Sequence, residues 1–370
     1  MGPPPLRHVW VDLMPMLPGG ANGGAKPFIL QLLRSLAQHQ PQVQFSCSTS
    51  ASLVASLQAE LPHPNLSLHA AGRWSRRPAG SQLLFCPFGP PTRPSRGLPV
   101  VSTFYDLQVL AYPRFFSSAE RRQRLGHLRQ IRRRAQRIAA ISHFSRAEGI
   151  QLGLDPTRTL AIPIQVPLPS PSAPSSPPPL GLRPGHFFLY PANLWPHKNH
   201  ELLFTAWAMA CDQGLPAHLT LVCTGDGQGR LDGLRQLARQ LQLQERLLLP
   251  GYVSAADLDA LFAHSLALVF PSLYEGFGMP VIEAMARRIP VCCSRNTALA
   301  EVAGEAALQV DPRHPQEIAS ALLRLAGDPG LRQQLVQRGE LQARRHLNPT
   351  AMADQYWQLF QGAHRAGPLR

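Results

Sequence analysis

Short apolar runs, most of them four to six residues long, recur along the chain, separated by longer stretches with helical spacing. In the first half the runs fall at 8–13, 43–48, 66–70, 83–88, 100–105, 138–142 and 159–164. In the second they fall at 187–191, 219–224, 246–249, 266–271, 291–294 and 308–311. Helical patterns lie between them, among them 27–38 and 119–137. Alternation of this kind predicts parallel sheets covered by helices. The expected fold is α/β, with two Rossmann-like domains facing each other across a cleft. Residues 163–184 hold nine prolines in 22 positions, a composition that predicts a stiff, extended linker. The expected domains are therefore 1–178 and 179–370, with a last helix at about 350–366 packing back on the first domain.

Composition adds an asymmetry. The 370 residues are enough for two or three domains, and 44% apolar against 16% charged residues rules out a disordered polyelectrolyte. No apolar run approaches the roughly 18 residues that cross a bilayer, and the first residues lack the order of a signal peptide. A soluble, cytoplasmic protein is expected. Of the net charge of +14, residues 1–178 carry +13, from 19 Lys and Arg against six Asp and Glu. An excess so placed points to an anionic partner for the first half. Lysine is nearly absent, only Lys26 and Lys198 standing among the 36 basic residues, so each draws attention. The six cysteines form no C-x-x-C pair and sit mostly in apolar runs, as buried free thiols of a reducing compartment do.

In doubly wound sheets, ligands bind outside the carboxyl ends of the strands, so the segments that follow the strands carry the chemistry. After the first strand comes Pro18-Gly-Gly-Ala-Asn-Gly-Gly-Ala-Lys26, whose Gly20, Gly23 and Gly24 can offer amides to an anion at a helix start. The spacing fits neither a dinucleotide fingerprint nor a P-loop. The second half opens with a strand followed by Asn193-Leu-Trp-Pro-His-Lys198, placing a compact cation where a phosphate can be reached. Thr224-Gly225-Asp226-Gly227 is another glycine turn after a strand. Pro271-Ser-Leu-Tyr-Glu275-Gly276-Phe277-Gly278-Met-Pro280 then leads into a helix starting at Met279 or Pro280, which carries Glu283. These are two carboxylates for sugar hydroxyls beside amides for a diphosphate.

Glu275-Gly-Phe-Gly-x-Pro-x-x-Glu283 resembles the Glu-x7-Glu motif of the family 4 (group 1) retaining nucleotide-sugar glycosyltransferases. The resemblance extends over nearly the whole chain through the glycine-rich first loop, Ser142-x-Phe144-Ser145, Pro-His-Lys-Asn and Asp311-Pro312. It implies the GT-B fold and transfer of a hexose, mannose foremost, from a GDP- or UDP-sugar to a hydroxyl of a sugar or lipid-linked acceptor. On that resemblance Glu275 contacts the donor sugar, Glu283 the ribose, and Lys198 the diphosphate. Gly251, Tyr252 and Val253 border the base, and the amides of residues 20–24 face the phosphates; Gly225 and Gly276–Gly278 complete the donor side. Two positions depart from the family. Asn193 stands where many members have arginine, and Tyr105-Asp106 stands where many have His-Asp, which puts Tyr105 and Asp106 on the acceptor side.

No protein nucleophile is apparent, so the expected mechanism is same-face attack by the acceptor, with the leaving diphosphate stabilised electrostatically and taking the acceptor's proton. No cofactor or metal is expected. Asp257-Leu-Asp259 looks like a D-x-D metal motif but lies in a helical pattern with Ser254 as its cap. A nucleotide-sugar epimerase differs in needing no acceptor alcohol. A nucleic-acid-binding protein is suggested by charge alone, and the basic stretch matches no reader motif. That stretch, 119–137, carries Arg121, Arg122, Arg124, Arg129, Arg132, Arg133, Arg134 and Arg137 against Glu120. Leu125, Leu128, Ile131, Ala135 and Ile138 make its apolar stripe. Its expected partner is an anionic membrane surface, with the protein peripheral on the inner face of the cytoplasmic membrane.

Overall fold

The computed structural model describes residues 4–72, 76–167, 178–227 and 229–369. The chain divides into two compact units, Met1–Pro167 with Asn348–Arg370, and Leu168–Leu347. Much of the proline-rich segment, 168–177, lies outside the described residues.

The first unit holds seven parallel strands: β1 (His8–Asp12), β2 (Gln44–Thr49), β3 (Leu66–Ala70), β4 (Leu83–Cys86), β5 (Val100–Phe104), β6 (Arg137–Ala140) and β7 (Thr159–Ala161). Their spatial order is β3-β2-β1-β4-β5-β6-β7. The second unit holds six: β8 (Phe187–Pro191), β9 (Thr220–Thr224), β10 (Leu247–Gly251), β11 (Ala267–Phe270), β12 (Val291–Ser294) and β13 (Leu308–Val310). Their order, β10-β9-β8-β11-β12-β13, repeats the first six positions of the other sheet. Both are doubly wound, with the topological switch beside the first strand of each unit. Central strands such as Val100–Phe104 and Val291–Ser294 are buried throughout, which is why they read as unbroken apolar runs.

Several strand ends fall short of the pattern for a plain reason. The run at 83–88 stops pairing at Cys86 because Pro87 follows, and 159–164 stops at Ala161, close to Pro163. Proline has no N–H to give the ladder. The arginine helix spans Ser118–Arg134 rather than 119–137: Ala135 is already extended, and Arg137 and Ile138 open β6. A capping box fixes its start, Ser117 accepting the Glu120 N–H while the Glu120 carboxylate accepts the Ser117 N–H.

Helix Pro349–Ala366 belongs to the first unit and packs against helix Ala25–His39. Its Tyr356 and Phe360 are buried, with ring centroids 5.7 and 4.9 Å from Phe85 of β4. The Tyr356 hydroxyl lies 3.3 Å from that of Thr103 in β5. Among the described residues all six cysteines are free, and all but Cys211 are buried.

Candidate active site

In the second unit, the sequence after β8 folds back over the strand end as the single turn Pro196–Lys198, stopped by Asn199 in the left-handed region (φ 64°). The Asn199 side chain holds that conformation, its amide donating to the carbonyls of Pro271 (3.1 Å) and Pro312 (2.7 Å). The Tyr190 hydroxyl, buried in β8, donates to the Lys198 carbonyl at 2.5 Å. The lysine backbone is thereby tied to the strand beneath it. Its ammonium reaches Glu275, in the loop after β11, at 2.5 Å, with both side chains nearly buried at 11% and 12% exposure. The same ammonium lies 5.3 Å from the Phe270 ring centroid.

Glu275 is positioned in turn. Its N–H donates to the Thr297 hydroxyl (3.2 Å) and its carbonyl accepts from Ala298 N–H (3.3 Å). Thr297 has φ 57°, a conformation that a β-branched residue adopts only under strain. Gly278, at φ 108°, lets the chain turn into helix Met279–Ala286; a Cβ there would stand 2.4 Å from Leu299 Cδ2. Phe277 between them is buried edge-on to His346, so its ring anchors the loop rather than facing a ligand.

Glu283 keeps different company. Burial pushes its carboxyl above the ordinary carboxylate range, opposed by the nearby Arg287 and reinforced by Asp259. Arg287 itself pairs with Asp259 (Nε 3.0 Å, Nη2 2.5 Å). Asp257, for its part, caps helix Ala255–His264 together with Ser254. Both carboxylates of the D-x-D run therefore have structural partners.

Asn193 ties two loops together, its side-chain oxygen accepting the Asp226 N–H at 2.9 Å. Gly225 (φ 145°) packs so closely that a Cβ would lie 2.3 Å from the Ala192 carbonyl oxygen; its own N–H goes to Gly251 O. It shapes the donor loop with its amide already committed. Tyr252 projects outward, 67% exposed, beside the half-buried Val253. One cation was missed in the sequence. Arg230, just before helix Leu231–Gln240, donates to the Leu194 carbonyl (2.6 Å) and pairs with Glu201, putting a guanidinium beside the Asn193–Lys198 loop. His200 is fully buried with no hydrogen-bond partner on either ring nitrogen, its ring tilted against that of Tyr190 with centroids 4.8 Å apart. Burial, with Arg230 and Lys198 adding to it, lowers its pKa to about 3.

In the first unit the glycine loop after β1 is a turn closed on itself. Gly23 N–H donates to Gly20 O (2.8 Å), and Leu17 N–H to the Asn22 side chain. The expectation of a free row of amides at 20–24 is corrected at Gly23, whose N–H closes the turn. Gly24 sits at the start of helix Ala25–His39. Lys26 leans on Glu60 at 3.6 Å. Tyr105 differs from a free acceptor-side hydroxyl: it donates to the Pro87 carbonyl at 2.7 Å, and burial raises its pKa well above the usual value. The Asp106 carboxylate accepts Gln108 N–H (3.2 Å) at the next helical turn. Ser142 caps helix His143–Gln151, and Ser145 donates to the Tyr105 carbonyl (2.5 Å).

Residues 180–342 match the model of the family described as glycosyl transferases group 1. The second unit carries a group 1 glycosyl transferase domain. Lys198, Glu275 and Glu283 all lie within this group 1 segment. The chain is 31% identical over 251 residues to O-antigen chain mannosyltransferase B of Escherichia coli, covering 66% of this chain and 65% of that one. It is 34% identical over 140 residues to O-antigen chain mannosyltransferase RfbU of Salmonella typhimurium, 37% of each chain. The chain thus spans less than two thirds of either relative. Over 96% of its length it superposes on HepE of Anabaena, solved with UDP and glucose, with TM-score 0.75 and 17% identity, covering 99% of that chain. Sucrose-phosphate synthase of Thermosynechococcus elongatus gives 0.74 at 20% identity, covering 97% of this chain and 100% of that one. The fold beyond the group 1 segment is therefore GT-B as well.

Proposed function

We propose that this protein transfers a hexose, mannose foremost, from a nucleotide-diphosphate sugar to an acceptor hydroxyl in polysaccharide synthesis, with retention of configuration. The observation that carries this is the Lys198–Glu275 pair, held at the carboxyl ends of β8 and β11 by Tyr190, Asn199 and Thr297. A pre-positioned ammonium stabilises charge that develops on a departing diphosphate, and a fixed carboxylate accepts hydroxyl protons of the transferred sugar. Arg230 adds positive potential on the side where Asn193 brings none. Glu283 is assigned to the ribose hydroxyls. The donor's diphosphate receives the acceptor proton, so neither a protein nucleophile nor a metal is needed, and Asp257 and Asp259 keep their structural roles. The mannosyl donor is favoured because both O-antigen relatives are mannosyltransferases. We assign the acceptor to an anionic membrane surface, which the basic helix bearing Arg121, Arg122, Arg129, Arg132, Arg133 and Arg134 would meet.

The test is direct. The purified protein is incubated with GDP-mannose and with UDP-glucose, each with and without lipid-linked saccharide acceptors, and the product is followed by NMR. Acceptor-dependent release of nucleoside diphosphate and an α-linked product from an α-linked donor, undiminished by EDTA, is the expected result. Conversion of the sugar without any acceptor, or an inverted anomer, refutes it.

A further inference from the structure

The basic helix of the first unit does more than present charge. Between Ser118–Arg134 and the turn that ends helix His143–Gln151 lies a groove of about 240 Å³, lined by Leu125, Leu128, Arg129, Arg132, Arg133 and Leu152. Its floor is the top of a core cluster, since Leu128 packs with Phe104, Ile131 and Leu154. Its rim is Leu152, a large apolar side chain left 38% exposed. Gly153 (φ 89°) brings the wall close: a Cβ there would stand 3.0 Å from the Arg132 guanidinium.

The three arginines have no internal task that accounts for them. The ion pairs of the first unit among the described residues are Lys26–Glu60 and Arg158–Asp155, neither of them in this groove. The helix's own acid, Glu120, is used at the N-terminal cap. Cations are favoured at a helix C-terminus, but that end is already served by Arg158, which donates to the carbonyls of Ala135 and Arg132. What remains is an apolar slot with three guanidinium groups at its wall and no carboxylate in its lining. Guanidinium forks match phosphate oxygens two at a time. The volume is below the roughly 300–1,000 Å³ of sites that hold drug-sized ligands, so it suits one phosphate with a short apolar stem, the rest of the ligand lying outside the groove.

We propose that this groove seats the phosphate headgroup of an anionic membrane phospholipid, with the first carbons of its chains over Leu125 and Leu152. The inference rests on the reading that the protein meets its acceptor at a membrane, and turns a diffuse attraction into a site.

The experiment compares two double variants of equal charge in the full-length chain: Arg129→Ser with Arg133→Ser inside the groove, and Arg122→Ser with Arg134→Ser on the same helix outside it. Sedimentation is measured with neutral phosphatidylcholine vesicles and with vesicles containing about one third phosphatidylglycerol, where each arginine near the surface is worth about a fivefold change in partitioning. The expected result is binding to acidic vesicles alone, weakened by both pairs, the groove pair costing about tenfold more than the outer pair because it also loses direct contacts to the phosphate. Leu152→Asp reduces it as well. All these side chains are exposed, so unchanged thermal midpoints confirm that the variants fold. Equal losses from the two pairs overturn the groove while leaving the membrane reading intact. Equal sedimentation with neutral and acidic vesicles removes both. Complete displacement by millimolar inorganic phosphate assigns the groove to a free anion and overturns the lipid.

Discussion

The two units share a strand order and treat charge in opposite ways. In the second, cations are paired across elements: Lys198 with Glu275, Arg230 with Glu201, Arg287 with Asp259, and Arg295 with Glu317. Asp311, buried at the end of β13, is held well below the ordinary carboxylate range, first by its hydrogen bond from Arg313. In the first unit, Arg122, Arg129, Arg132, Arg133 and Arg134 point outward from one helix without carboxylate partners among the described residues. A buried pair fixes geometry, because either partner alone would be an uncompensated charge in a poor solvent. A row of exposed cations fixes nothing inside the protein. It acts on what lies outside. The nearly buried Lys198–Glu275 pair is therefore an instrument of positioning, and the first unit's exposed arginines are instruments of attraction.

The largest effect that can break this comparison is at Lys198. Lys198→Ala should lower turnover by roughly 10²–10³ and stability by about 3–5 kcal/mol, because Glu275 is left charged and unpaired. Lys198→Met with Glu275→Gln should recover most of the stability and none of the turnover, read by thermal melts and product assay. Recovery of turnover in the double variant would show that the pair is only structural.

Glu283→Ala should weaken nucleoside diphosphate binding about tenfold or more by calorimetry, the worth of a hydrogen bond to a charged group. An unchanged affinity sinks the ribose assignment. Because burial raises the folded-state pKa of this group, its contribution to stability is fully present below the ordinary carboxyl pKa and is lost as pH rises through the folded value. Glu283→Gln should accordingly gain on the parent protein in melts as pH is raised from about 4 to 7.

Thr297→Gly should lower turnover several-fold while holding or raising the melting temperature, since it frees Glu275 and relieves left-handed strain of about 1–2 kcal/mol. A variant with lower stability and full turnover would mean that Thr297 does not position the carboxylate. The smallest effect belongs to the first unit. Arg122→Ser should change stability by less than about 0.5 kcal/mol, as expected for an exposed side chain without a partner.

Much of this was legible in the chain because buried parallel strands need apolar residues on both faces, and most of the runs ended near Pro, Gly or Asn. Part of the site was legible too: the sequence pattern places Lys198 and Glu275 just after strand ends, and the structure pairs them there. What was not legible follows from packing. The arginine helix seemed to reach Arg137 because periodicity does not reveal that the helix has ended at Arg134 and that Arg137 has passed to a strand. Arg230 follows a glycine turn with no periodic signal, and only folding brings it to the Leu194 carbonyl. Thr297 has a residue type that argues against its own backbone conformation. The inward turn of Phe277 and the bond from Tyr105 to Pro87 depend on neighbours distant in sequence.

The chain leaves the first unit at Pro167 and returns to it only at Asn348. The aromatic wedge of Tyr356 and Phe360 is thus made long after the strands it seals. At 5–20 residues per second, a ribosome needs roughly 10–35 s to make the intervening 180 or so residues. Through that interval Phe28, Phe85 and Thr103 wait without their lid, while the second unit, continuous in sequence, can close as soon as it emerges. The half of the protein that is made first is therefore completed last, and its exposed seam is where a holding chaperone would be wanted.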